Sequence, residues 1–322
     1  MKDNKLIFVI VELILLFMIF IFSVMLVTDR TSNIKKKVTV IIENQDDEAW
    51  RGFIYGLKKA AKDDDVSLDI VSVNSINDEN DMESLIENAI NSGSEAIITE
   101  PTSNSSINEV LRRARTKIPI VLTHSDVKNS DMNIPVVEAD CYQMGKKIAL
   151  EIEADYGKDL SGKKCGLILG KIGTEAADNA KKGFLDEVKK TGLNVKWTIN
   201  DKSLHDNSLE ILKVQSDVDF VVSLSDFGMK KATQSLEEKK LSASYVYGIG
   251  CSETVCVALD KELAKCFIAP DEFSIGYRAL DMISNKLSGS SEMEDEKVNY
   301  KVMRRDNLFD EENQNMFYYL LQ

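Results

Sequence analysis

Histidine, cysteine and basic charge are scarce in this sequence. The 322 residues contain two histidines and five cysteines. No two cysteines have the C-x-x-C spacing that structural zinc sites use, so such a site is not expected. Cys141, Cys165, Cys251, Cys256 and Cys266 are too few and too irregularly spaced for a disulfide framework, and an odd count leaves at least one thiol free or intermolecular. Cys251 and Cys256 could bridge across a short loop, or be two thiols at a buried helix start. His124 and His205 stand apart, with no serine in an elbow motif to complete a triad. Gly170-x-x-Gly173 lacks the Gly-Lys-Ser/Thr of a phosphate loop and reads as a tight turn. No catalytic constellation, metal site or cofactor is therefore expected. Lysine and arginine number 40 against 53 acidic residues, a net charge of −13 that repels phosphate backbones and argues against nucleic acid as a partner.

One long apolar run is present. Leu6 to Val27 is apolar but for Glu12, Ser23 and little else, and about 20 such residues span a bilayer. It ends Met25-Leu26-Val27-Thr28-Asp29, which offers no small-residue cleavage site, and no cysteine follows for a lipid anchor. The expectation is an uncleaved single-pass anchor: residues 1–5 a cytoplasmic tail, 6–27 the membrane helix, 28–36 a linker. The flanking charges oppose this orientation, because Arg30 and Lys35 to Lys37 follow the helix while only Lys2 and Lys5 precede it. The short tail and the fold argued below place the domain outside. Glu12 either reaches the headgroups or pairs with a partner helix in the membrane.

Beyond the linker, strand and helix patterns alternate. Val38 to Ile42 is a short β-branched run, as in a strand buried on both faces. Glu43 to Glu48 breaks it with turn and cap chemistry. Trp50, Phe53, Ile54, Leu57, Ala60 and Ala61 then follow the spacing of one helix face. Further strand–helix units lead to a fifth strand at Val136 to Ala139 and a helix from Tyr142 to about Tyr156. The plan restarts at Lys164 to Leu169 and closes with a helix from Pro270 to about Leu287 and one last strand from Val298 to Met303. Val38 to Asn74 and Lys164 to Asn200 share one order of elements. The expected fold is α/β: two similar Rossmann-like lobes with parallel sheets and a cleft between them, where small ligands bind beyond the carboxyl ends of the strands.

The order of elements resembles the type I periplasmic binding proteins, the ribose-binding and LacI-like ligand-binding fold, over roughly Lys37 to Arg304. The resemblance rests on Asp46-Asp47-Glu48-Ala49-Trp50-Arg51-Gly52-Phe53, on Ile118 to Thr123, and on Glu138-Ala139-Asp140 before Gly145. Gly173-Thr174, Ser225-Asp226, Gly248-Ile249-Gly250 and Ala269-Pro270-Asp271 also fit. It implies two lobes joined by a three-segment hinge that close on a ligand. The crossings would fall near Asp140, Pro270 and Glu296, giving lobe one as 37–139 and 271–296 and lobe two as 140–270 and 297–322.

By that resemblance the ligand site is built from Asp46, Asp47, Trp50, Glu100, His124, Ser125, Asp140, Thr174, Glu175, Asp178, Ser225, Asp226, Cys251 and Asp271. Trp50 would stack on a sugar ring, or else is the first core residue of its helix. Sugar binders commonly carry Asp-Arg where this chain has His124-Ser125, an arginine where it has Asp178 and Ala180, and an Asp where it has Gly250-Cys251. The acidic strand ends suit a cationic or metal-bearing ligand or a polyol, or are turn residues of an acidic protein. The implied function is a membrane-anchored extracytoplasmic solute-binding protein. It would close on a small, sugar-like ligand and present it to an ABC permease or a sensor kinase. The alternative is a binding module that acts through protein contacts alone, using the acidic face or the apolar tail Met316 to Leu321. A LacI-like regulator fits less well, since an apolar span stands where a DNA-binding headpiece would be.

Overall fold

The computed structural model describes residues 12–23, 35–43, 47–76, 78–101, 105–127, 133–207, 210–289, 292–311 and 313. Residues 1–36 form one unit and Lys37–Gln322 another. In the first unit, residues 12–23 are helical and their apolar side chains are exposed. Among the described residues no helix is long and apolar enough to cross a membrane. The rest of the segment expected over 6–27, and the tail Met316 to Leu321, lie outside the described residues.

The second unit holds two six-stranded sheets. The first contains β1 (Lys37–Glu43), β2 (Ser67–Val73), β3 (Ala96–Thr99), β4 (Ile120–Thr123), β5 (Val136–Ala139) and β11 (Glu296–Val298), in the order β11-β5-β4-β3-β1-β2. The second contains β6 (Lys164–Leu169), β7 (Asn194–Asn200), β8 (Phe220–Ser223), β9 (Tyr245–Ile249), β10 (Ala264–Pro270) and β12 (Tyr300–Met303), in the order β12-β10-β9-β8-β6-β7. The two orders match element for element. Val38, Val40, Ile41 and Ile42 of β1 are at most 1% exposed, as the β-branched run requires of a strand covered on both faces.

The helices are α1 (Trp50–Asp63), α2 (Glu79–Asn91), α3 (Ser105–Ala114), α4 (Cys141–Tyr156), α5 (Glu175–Val188), α6 (Asp201–Asn207), α7 (Glu210–Lys213), α8 (Asp226–Glu237), α9 (Glu253–Asp260) and α10 (Glu272–Leu287). In each lobe one pair of helices packs backbone to backbone. A Cβ at Gly56 of α1 would overlap the carbonyl oxygen of Phe273 in α10, and one at Gly276 of α10 that of Phe53 in α1. In lobe two, Gly145 of α4 faces the carbonyl oxygen of Ala180 in α5, and Gly183 of α5 that of Tyr142 in α4. Only glycine permits these approaches.

The chain passes between sheets at Asp140, at Asp271 and at Asn299. The single last strand expected over Val298 to Met303 is in fact two. β11 runs up to the crossing and pairs in parallel with β5, whereas β12 leaves it and pairs antiparallel with β10. Lobe one therefore extends to Val298. The N–H of Asp271 donates to the carbonyl of Asn299 (3.0 Å), tying two crossings together.

Candidate functional site

The carboxyl ends of both sheets face one cavity of about 260 Å³. Lobe one supplies Glu100 after β3, His124 and Ser125 after β4, Ala139 at the end of β5, and Glu272 and Ile275 from α10. Lobe two supplies Lys171 after β6, Thr174 before α5, Asp201 after β7, Ser225 after β8, and an apolar wall that includes Ala177, Ala180, Leu224 and Ile249. The lining contains no arginine, phenylalanine, tyrosine or tryptophan among the described residues.

His124 is the centre of the lobe-one side. Its φ is +65°, a left-handed conformation that histidine tolerates better than most residues. Trp50 and Phe53 close round its ring, with centroids at 5.2 and 5.0 Å. Nε2 lies 2.8 Å from Glu272 Oε2, and the buried Nδ1 lies 3.4 Å from Glu100 Oε1. Burial disfavours the imidazolium, but the charges of Glu272 and Glu100 outweigh it and push the ring up to about 9. Burial also raises Glu100 above the usual carboxylate range.

On the opposite wall, burial and the nearby charge of Asp226 push Asp201 up to about 7, against the bond that Ser225 Oγ donates to its Oδ1 at 2.8 Å. Cys141 also lines the cavity, its thiol pushed up to about 12 by burial.

Direct contacts join the lobes round the rim. Lys171 Nζ reaches Glu43 Oε2 (2.6 Å). Lys230 Nζ reaches Asp47 Oδ1 across the cleft (2.6 Å) and Asp226 Oδ2 within its own helix (3.2 Å). Thr254 donates its N–H and its hydroxyl to Glu48 Oε2, at 3.1 and 2.9 Å. Arg51 pairs with Glu253 (3.3 Å), and the N–H of Ala176 donates to Ser125 Oγ (3.1 Å). Glu43 at the end of β1, with Asp47 and Glu48 before α1, thus grips two lysines and the start of α9.

Of the residues expected in a ligand site, Glu100, His124, Ser125, Thr174 and Ser225 line the cavity. Trp50 packs one layer behind it, on Phe53 and His124. Asp47 and Asp226 belong to the rim pairs. Asp140 and Asp271 cap α4 and α10, accepting the N–H groups of Gln143 and Ser274. Thr174 and Ser225 are caps as well as lining. Glu175 accepts from Asn179 in the first turn of α5, and the N–H of Asp178 in that turn donates to the Thr174 carbonyl. Cys251 is buried, its N–H donating to Asp226 and its thiol set 3.8 Å from the Ala49 carbonyl. Asp46 lies outside the described residues. All five cysteines are free, so Cys251 and Cys256 form no bridge. Among the described residues no cluster of potential ligands could hold a metal ion.

Three charged lining residues escaped the sequence reading. Glu272 sits one residue past the cap Asp271, Lys171 sits inside a turn that its glycines alone explained, and Asp201 follows β7 with no loop to mark it.

Residues 38–291 match the family described as Periplasmic binding protein domain. No curated protein matches the chain. Several solved structures share the fold. A carbohydrate transporter solute-binding protein from Agrobacterium radiobacter, in complex with D-arabinose, superposes with a TM-score of 0.75 at 18% identity, over 88% of this chain and 99% of its own. GanP, a glucose-galactose binding protein from Geobacillus stearothermophilus, gives 0.73 at 20% identity, over 85% and 99%. A XylFII-LytSN complex gives 0.73 at 18% identity, over 85% and 99%.

Proposed function

The chain belongs to the periplasmic binding protein domain family, and we propose that it is an extracytoplasmic solute-binding protein whose lobes close on one small polar molecule. The observation that carries this reading is the cavity where the strand ends of both sheets meet, framed by side chains of both lobes. Parallel α/β sheets hold ligands at that place. The ligand is sugar-like or a polyol. Its C–H faces would lie on Ala177, Ala180, Leu224 and Ile249, and its hydroxyls would donate to the carboxylates of Glu100, Asp201 and Glu272. The D-arabinose in the complex of the Agrobacterium radiobacter relative, and GanP as a glucose-galactose binding protein, support that class of ligand.

The apolar run Leu6 to Val27 anchors the domain to the membrane in this reading. The closed form is presented to a membrane partner, an ABC permease or a sensor kinase; the XylFII-LytSN complex is a case of this fold joined to a second protein.

The rim contacts favour a second reading, a module that works through protein contacts alone, because they bind lobe to lobe directly. Thermal unfolding of the full chain against a panel of sugars, polyols, nucleosides and amines separates the two. A ligand at 100 times its dissociation constant stabilises the fold by about 2.7 kcal/mol, and that shift should vanish in Glu272→Gln. A panel with no active compound would favour the protein-contact module.

A further inference from the structure

The hydrogen-bonding capacity of the cavity is lopsided. Each side-chain hydroxyl of the lining already donates inside the protein: Ser125 to the Asp126 carbonyl (3.1 Å), Thr174 to the Lys171 carbonyl (2.9 Å), and Ser225 to Asp201 (2.8 Å). The N–H groups of Ala176 and Ala177, at the start of α5, are taken by Ser125 and Thr174. His124 turns Nε2 to Glu272; its buried Nδ1 lies 3.4 Å from Glu100 Oε1 and makes no hydrogen bond among the described residues. Lys171 stands at the mouth, 46% exposed, and is bound to Glu43.

The charges are just as uneven. His124 is shared by Glu272 and Glu100 and Lys171 is bound to Glu43, so the lining holds more carboxylates than cations, and among the described residues Asp201, on the wall facing Glu100, pairs with no cation. Burial raises Glu100 against the pull of His124 and Lys171, and burial and Asp226 push Asp201 up to about 7, so a further cation between them would favour both charged carboxylates. A neutral hydroxyl could donate here, but its own oxygen would find few free donors. An ammonium group donates only, and brings that further positive charge.

We propose that the cleft is selective for a small amine-bearing molecule, its cationic nitrogen held between Glu100 and Asp201 and its carbon frame against the apolar wall of lobe two. This rests on the solute-binding reading above and narrows it from sugar-like and polyol solutes to those that carry an amine.

The test compares a matched pair on the full chain by titration calorimetry: 1-amino-1-deoxy-D-glucitol and D-glucitol, with D-arabinose as a plain sugar. The amine should bind tighter than its neutral twin by roughly tenfold or more, the value of one charge-assisted hydrogen bond. Glu100→Gln and Asp201→Asn should each remove most of that preference, and the melting temperature of each variant without ligand shows whether it still folds. If D-glucitol or D-arabinose binds as tightly as the amine, the cationic selectivity is wrong and the solute-binding reading stands. If the amine binds but both folded variants bind it equally well, the nitrogen sits elsewhere and the inference fails. If none of the three binds and no member of the wider panel does, the solute-binding reading falls with it.

Discussion

His124 is where sterics, charge and packing meet. A left-handed residue costs energy, and two aromatic rings and two carboxylates hold it in place. Its pKa in the fold, about 9, lies above the ordinary 6.5. The imidazolium–Glu272 pair therefore contributes fully below about pH 6.5 and is lost as pH rises through 9. Glu272→Gln should cost about 3 kcal/mol at pH 6, the typical loss when one half of a buried pair is removed. The cost should shrink towards pH 10, and thermal unfolding across that range checks it. A difference that does not change with pH would mean that the ring is neutral throughout. His124 was legible in the sequence because it follows a buried strand at the place where this fold puts ligands. Glu272 was not, because the strand-end position that selects Asp271 says nothing of the next side chain, and it is that one that lines the cavity.

At the scale of elements, the glycines of the two helix pairs are the sensitive points. In an exposed helix interior alanine is preferred to glycine by up to about 1 kcal/mol. At Gly276 and Gly183 a methyl group would meet a backbone carbonyl of the facing helix, which cannot swing aside as a side chain can. Gly276→Ala and Gly183→Ala should each lower stability by about 1–3 kcal/mol, read as a fall in the urea midpoint at unchanged slope. Unchanged or higher midpoints would show that the helices separate freely. The elements themselves were legible because apolar period changes sharply at each strand–helix join. The exception was residues 296–303, where one β-like run serves two sheets: periodicity records that a residue is extended and half-buried, not which sheet it joins. Helix capping likewise explains Asp140 and Asp271, which position alone had suggested for ligand contact.

For the whole molecule, the rim decides how readily the lobes part. Lys230, 18% exposed, links Asp47 of lobe one to Asp226 of lobe two. Lys230→Met should weaken closure by about 1 kcal/mol, roughly a fivefold shift towards the open form, seen as a larger radius of gyration in solution scattering. Added salt should move the parent protein the same way. A variant with the parent's scattering profile would show that this bridge does not hold the lobes. The threading of the chain has a consequence of another kind. The first sheet takes its outer strand from Glu296–Val298, and α1 finds its partner α10 only at Glu272–Leu287. As the ribosome delivers the chain, lobe one is not finished until the chain has crossed back at Asp271 and run to Val298, nor lobe two until it has crossed again at Asn299, so the nascent first sheet waits with the edge of β5 uncovered. A stop codon just before Glu296 takes the outer strand from both sheets at once.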